Sequence, residues 1–299
     1  MIGAIAGDII GSVYEYHPIK TESFPLFEEG SSFTDDTVLT VATAAALLEG
    51  SGFGESYKHW GLRYPERSYG SVFRQWLRSD DLAPYGSWGN GAAMRAGPLG
   101  FAAASLDQAL KLAQRSACAT HDHPEGILGA QAVAGSVYLA RSGAGKDEIR
   151  AFLASRVGYN LDKTLEEIRP RYRYDATARG SVPQALTAFL ESTGYEDAVR
   201  KAVSLGGDSD TLACIAGAVA EAFYGGVPEA LWNRALGCLT CELGSVVVRF
   251  YERYRLPHCW GETREPLPVS PARAPAPPQT LNRPRRRNLS PVAAAGGWS

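Results

Sequence analysis

A chain of 299 residues with 45% hydrophobic and 21% charged side chains has the balance of a folded globular protein, long enough to bury a large core without disulfides. A net charge of -2 gives no global reason to expect a nucleic-acid or membrane-surface protein. The charge is unevenly placed: from Gly261 onward there are six arginines and two glutamates, which leaves 24 basic and 30 acidic residues in the body before it.

In chain order, MIGAIAGDIIGSVYEY opens apolar but has no positive n-region, and Asp8 interrupts it, so it does not read as a signal peptide. No apolar run approaches the ~20 residues of a membrane span, and the cytoplasm is the expected location. The first clear helix follows Phe33: Thr34 or Asp35 can cap it, TVLTVATAAALLE carries it, and Gly50 ends it. Helices are next expected over LDQALKLAQRSACAT and GILGAQAVAGSVYLAR, then over VPQALTAFLES with Pro183 in its first turn. DTLACIAGAVAEAFYG is studded with small residues, which predicts a buried helix in close contact with another. Strand-like alternation is scarce, so the fold class is all-α.

The five cysteines, Cys118, Cys214, Cys238, Cys241 and Cys259, are odd in number and scattered, unlike a disulfide framework. Cys238 and Cys241 form a C-x-x-C in the apolar stretch LGCLTCELG, but nothing nearby completes a zinc site; core packing is expected for the pair. Residues 1–260 read as one domain. Residues 261–299, rich in Pro, Ala and Arg, read as a disordered tail. The basic cluster Arg283 to Arg287 could touch nucleic acid, though a solvated tail is the simpler reading.

Chemistry concentrates in four places. Phe33-Thr34-Asp35-Asp36-Thr37 and Gly206-Gly207-Asp208-Ser209-Asp210-Thr211 each lie where a loop enters a nearly uncharged helix. Capping explains one side chain in each. Each cluster, however, supplies two carboxylates and a hydroxyl, and adjacent carboxylates repel unless a cation or proton compensates. If the two helix starts face each other, Thr34, Asp35, Asp36, Asp208, Asp210 and Thr211 could hold two hard divalent cations. Gly86-Ser87-Trp88-Gly89-Asn90-Gly91 is a glycine loop that could cradle phosphate, with Trp88 a face for stacking, or could be a plain surface turn. In Thr120-His121-Asp122-His123 no third ligand for a transition metal is evident; a helix-terminal His touching ligand or backbone fits better. Glu15, taken alone, reads as a surface residue, and Asp8 could cap or hydrogen-bond within its glycine turns.

Together GDIIGSVYE, FTDDTVLT, YGSWGNGAAMR, ATHDHPEG and LGGDSDTLACIAGAVAEAFYG, in this order over roughly residues 1–255, resemble the ADP-ribosylhydrolase (ADP-ribosylglycohydrolase) family. The resemblance implies a compact, orthogonal multi-helix fold with two Mg2+ or Mn2+ ions: Thr34, Asp35 and Asp36 bind from one side, Asp208, Asp210 and Thr211 from the other. It also implies a glycosidase that releases ADP-ribose from a protein side chain, an O-acetyl group or a related adduct. GSVYE and GSWGNGAAMR look most like the branch that acts on serine-linked ADP-ribose. In that branch a flexible Glu at the position of Glu15 contacts metal and closes over the site, and the carboxylates of Glu15, Asp35 and Asp36 are the candidate catalytic groups. The loop matching Gly86, Ser87, Trp88, Asn90 and Gly91 binds the pyrophosphate and adenosine side, and the His matching His121 lies near the adenosine ribose. Trp88 departs from a Tyr common in the branch, keeping the stacking face and changing the polar tip.

Alternatives keep the fold and change the role: cleavage of nucleic-acid-linked or arginine-linked ADP-ribose, non-catalytic ADP-ribose binding, or a two-metal phosphohydrolase. Nucleic acid would enter only through the basic tail. Similar proteins are often monomeric, and a monomer is expected. Arg169, Tyr172, Arg173 and Tyr174 are candidate acceptor contacts, with an exposed loop tied by salt links as the plainer reading.

Overall fold

A computed structural model describes residues 1–257. The boundary expected at 260, the tail, His258 and Cys259 lie outside the described residues. Among these residues there are fifteen α-helices: α1 (Ile2–Gly11), α2 (Asp35–Glu49), α3 (Phe53–Arg63), α4 (Ser71–Arg78), α5 (Gly91–Met94), α6 (Gly97–Ala102), α7 (Leu106–Ala117), α8 (Pro124–Arg141), α9 (Lys146–Phe152), α10 (Leu165–Ile168), α11 (Ala178–Leu190), α12 (Tyr195–Val203), α13 (Ser209–Tyr224), α14 (Glu229–Gly237) and α15 (Cys241–Tyr254). A π-helical turn, Leu153–Val157, extends α9, and the one β feature here is an isolated bridge between Gly89 and Thr177. No helix among them is long and apolar enough to cross a membrane.

The centre of the fold is the antiparallel crossing of α1 and α13. Every residue of α1 is buried, as is α13 from Ser209 to Ala222. Their backbones touch through small residues. A Cβ on Gly3 would lie 2.5 Å from the Gly217 carbonyl oxygen, one on Gly7 2.1 Å from that of Ala213, and one on Gly11 2.4 Å from that of Ser209. The four-residue spacing on both helices places one ridge of each against the other. At the N-terminus of α1, the orphan amides of Ile2 and Gly3 donate to the Tyr251 hydroxyl (2.9 Å) and to Glu221 Oε2 (2.7 Å). Glu221 also holds the Met1 ammonium.

The helices read from the sequence are present with shifted ends. Thr34 caps α2 and Gly50 closes it in the left-handed region, φ 69°. Pro183 is a correction: it lies inside α11, which starts five residues earlier, at Ala178, rather than one residue before the proline. Thr177 sets that start, accepting from the Gly180 amide at 3.0 Å while its own amide donates to Asp175 Oδ1 at 2.8 Å. The cysteine pair is a second correction. The chain breaks between α14 and α15, so Cys238 is only half-buried and Cys241 is exposed.

Gly7→Ala should lower the unfolding free energy by about 3 kcal/mol or leave the chain insoluble, because two backbones would have to part. Gly244→Ala, in α15 with nothing within 4 Å of the new methyl, should be neutral or gain up to about 1 kcal/mol. Urea unfolding of both variants measures the contrast.

Candidate functional site

The α1–α13 crossing carries the last turn of α1 to the first turn of α13. Glu15, four residues past Gly11, therefore meets the acidic start of α13. Carboxylate oxygens of Glu15, Asp208 and Asp210 lie within 4.8 Å of one another. The turn before α13 is made by two successive left-handed glycines, Gly206 (φ 70°) and Gly207 (φ 81°). A side chain on Gly207 would strike the backbone of Arg173 and Tyr174 at 3.0 Å.

The start of α2 is fixed by Asp8, the one charge in α1. Asp8 is fully buried and accepts from the Thr34 amide (3.0 Å), the Thr34 hydroxyl (2.7 Å), the Thr37 amide (3.1 Å) and the Thr37 hydroxyl. It therefore ties α2 to α1, rather than bonding within its own glycine turns. The two acidic clusters meet directly: the Thr211 hydroxyl donates to Asp36 Oδ2 at 3.2 Å. Asp36 Oδ1 is buried with no partner among the described residues.

Burial, first, raises the carboxyls of Asp8, Asp36, Asp208, Asp210 and Glu15, and pushes Asp35 up to about 7. The neighbouring carboxylates add to this, the Asp8 charge foremost for Asp35 and Asp36 and the Asp208 charge for Asp210 and Glu15. Six acidic groups gathered this way need either protons or a cation. An all-oxygen donor set, a hydroxyl on each side and an unpartnered carboxylate oxygen fit a hard divalent ion such as Mg2+ or Mn2+.

Of the residues expected to hold metal, Asp36, Asp208, Asp210 and Thr211 come together directly. Asp35 is partly exposed beside them, and the Thr34 hydroxyl is engaged by Asp8. The glycine loop is less free than its composition suggests. Gly86 N–H donates to Asp122 Oδ1 (2.8 Å), Ser87 N–H to the Thr120 carbonyl (3.4 Å), Gly89 N–H to Ser87 Oγ (3.2 Å) and Asn90 N–H to the Ala176 carbonyl (2.9 Å). Asn90 turns its side chain inward, donating to Asp208 Oδ2 at 2.7 Å. Trp88 is 56% exposed, its ring edge-on to His123 at 5.9 Å. His123 caps α8, while His121 is buried and its Nε2 edge faces Gly91. In the loop at 169–174, Arg169 pairs with Glu22 and the Tyr172 hydroxyl donates to the Gly180 carbonyl (3.0 Å), so both are structural.

Sequence reasoning missed two tyrosines beside the site, Tyr16 and Tyr69, whereas Tyr174 was among the candidate acceptor contacts. Tyr16 is 72% exposed and is raised by the Glu15 charge, then by burial. Tyr174, 59% exposed, is raised by burial, then by Asp208 and Glu15. Both phenols therefore stand protonated above the carboxylates. Tyr69 is buried, stacked on Phe73 at 5.3 Å, with its hydroxyl unpartnered among the described residues and raised by burial, then by Asp35. Tyrosines are too common near cores for spacing to single out Tyr16 and Tyr69. Asp8 was visible as a charge interrupting an apolar stretch, but that stretch was not read as the helix α1 that it forms.

A family model described as ADP-ribosylglycohydrolase matches residues 1–258. The chain is 28% identical over 317 residues to ADP-ribosylhydrolase ARH3 of Mus musculus, covering 79% of this chain and 85% of that one. It is 25% identical over 283 residues to ADP-ribosylarginine hydrolase Tri1 of Pseudomonas putida, covering 81% and 76%. A solved structure titled "ADP-ribosylglycohydrolase-related protein complex" superposes with a TM-score of 0.66 at 26% identity, over 84% of this chain and 95% of that one.

Carboxyls raised on folding bind protons that the unfolded chain has already released, so their stabilisation is complete below the ordinary range near ~4 and is lost as pH rises toward about 7, where Asp35 titrates. In EDTA the melting temperature should fall across that interval, and millimolar Mg2+ should restore it increasingly as pH rises. A flat profile, or no gain from Mg2+ above pH ~7, would contradict a cation site here.

Proposed function

The chain belongs to the ADP-ribosylglycohydrolase family, and we propose that it is a metal-dependent hydrolase that cleaves the glycosidic bond between ADP-ribose and an acceptor, with serine-linked ADP-ribose the adduct its motifs favour. The Thr211–Asp36 contact carries this reading, because it joins acidic clusters 175 residues apart into one oxygen-lined centre.

Two divalent ions would be held by Thr34, Asp35, Asp36, Asp208, Asp210 and Thr211, with Glu15 alongside. Bound there, Mg2+ or Mn2+ supplies positive charge that keeps these carboxyls ionised and polarises ribose hydroxyls. The chain's own groups do the rest. Asn90 orients Asp208, and Asp8 orients the first turn of α2. Trp88 offers a stacking face for the adenine, and His121 lies beside the loop that receives the adenosine side. The N-termini of α2 and α13 direct their dipoles toward the anionic substrate.

The reaction is displacement at the anomeric carbon through an oxocarbenium-like state. The water oxygen forms the new bond as the bond to the acceptor oxygen breaks. Glu15, partly exposed where Asp36, Asp208 and Asp210 are sealed, is the carboxylate best placed to take the water proton. The departing oxygen takes a proton from solvent, which balances the one that Glu15 accepts and then releases.

Excess EDTA should abolish release of ADP-ribose, and Mg2+ or Mn2+ should restore it. Asp36→Asn and Asp208→Asn should each lose on the order of 10²–10³-fold in kcat. The substrates are serine-, arginine-, O-acetyl- and nucleic-acid-linked ADP-ribose, with products identified by mass. Full turnover in EDTA would refute the metal requirement, and phosphate or AMP as product would indicate a phosphohydrolase. ADP-ribose binding without release from any adduct would leave a non-catalytic binder.

A further inference from the structure

Arg95, immediately after α5, heads the fully buried side chains of the described residues by size. Its guanidinium lies over the Tyr57 ring, 3.9 Å from the centroid. Nη2 donates to the Ser116 carbonyl (3.2 Å) and to Thr120 Oγ1 (2.7 Å). Nε and Nη1 have no partner among the described residues, and no ion pair there neutralises the charge. A buried cation without a counter-charge is costly to keep, so packing alone is a poor account of it.

The next link is Thr120 Oγ1, 2.7 Å from His121 Nδ1. Arginine can only donate, so the threonine oxygen accepts from it. With the guanidinium donating to Oγ1 and Nδ1 the hydrogen-bond acceptor in reach of the hydroxyl among the described residues, the threonine proton points to Nδ1. An imidazole that accepts at Nδ1 carries its hydrogen on Nε2. That edge faces the glycine loop: a Cβ on Gly91 would lie 3.1 Å from Nε2, and one on Gly89 3.6 Å. Burial, then the Arg95 charge, holds His121 well below the usual histidine range, so a second proton is not taken up.

We propose that Arg95 and Thr120 are positioning residues that together lock His121 as its Nε2–H tautomer and aim that N–H across the Gly89–Gly91 segment, where it donates to an oxygen of ADP-ribose. The ligand half of this inference rests on the function proposed above; the tautomer half does not.

Long-range proton–nitrogen correlation spectra of the ligand-free, imidazole-labelled protein test the tautomer. His121 should be protonated at Nε2 in the wild type and in Thr120→Ser, which keeps the hydroxyl. Thr120→Val should lose that preference. Calorimetry with ADP-ribose should show Thr120→Val weakened on the order of tenfold and Thr120→Ser within about threefold of wild type. In turnover the loss should fall on KM with kcat nearly unchanged, the mark of a contact made equally before and during reaction. A wild-type His121 protonated at Nδ1 would overturn the inference, as would Thr120→Val binding with wild-type affinity. If Thr120→Val does not fold, the wild-type tautomer and the Thr120→Ser affinity decide. Absence of ADP-ribose binding by the wild type would instead refute the functional reading, with the spectra still judging the relay.

Discussion

The backbone contact between α1 and α13 is the constraint on which the site depends. Glycine at positions 3, 7, 11 and 217 lets two helices approach until carbonyl oxygens lie where side chains would otherwise begin. Such an approach fixes the register of the pair, because a slip by one residue would bring a Cβ against a carbonyl. Register in turn decides the chemistry. It sets Glu15 opposite Asp208 and Asp210, and it points Asp8 at the first turn of α2. Acidic groups from three distant segments are thereby brought into one volume without any strand or disulfide among the described residues.

That volume is electrostatically unfavourable by construction. Burial penalises each carboxylate, and each neighbour adds repulsion. The surrounding structure supplies local compensation: four donors on Asp8, an amide on Asp208, a hydroxyl on Asp36. One Asp36 oxygen is left uncompensated. Close helix packing over many alanines and glycines provides the stability against which such a site can be held, and the acidic centre is where local stability and the demands of cation binding diverge.

Legibility followed the range of the interaction. α2 and α13 were readable almost to the residue, since Thr34, Gly50 and Gly225 act on their own helices through local hydrogen bonds and φ. Pro183 misled because proline at a first turn is the commoner placement, whereas the actual start answers to Thr177 and Asp175, whose role depends on the loop before them. Asn90 sat in a motif suggestive of phosphate, and its inward turn to Asp208 depends on a contact 118 residues away. Cys241 sat in an apolar run, and only the break between α14 and α15 exposes it.

The sequence by itself determined the all-helical class, the capping of the main helices and the presence of two acidic clusters, because periodicity, caps and residue chemistry are local properties. Tertiary structure alone decided that the clusters meet, that Asp8 belongs to α2 rather than to its own helix, and that Arg95 and Thr120 stand behind His121. Those outcomes hang on which helix faces touch, and that is set by the summed packing of residues far apart in the chain.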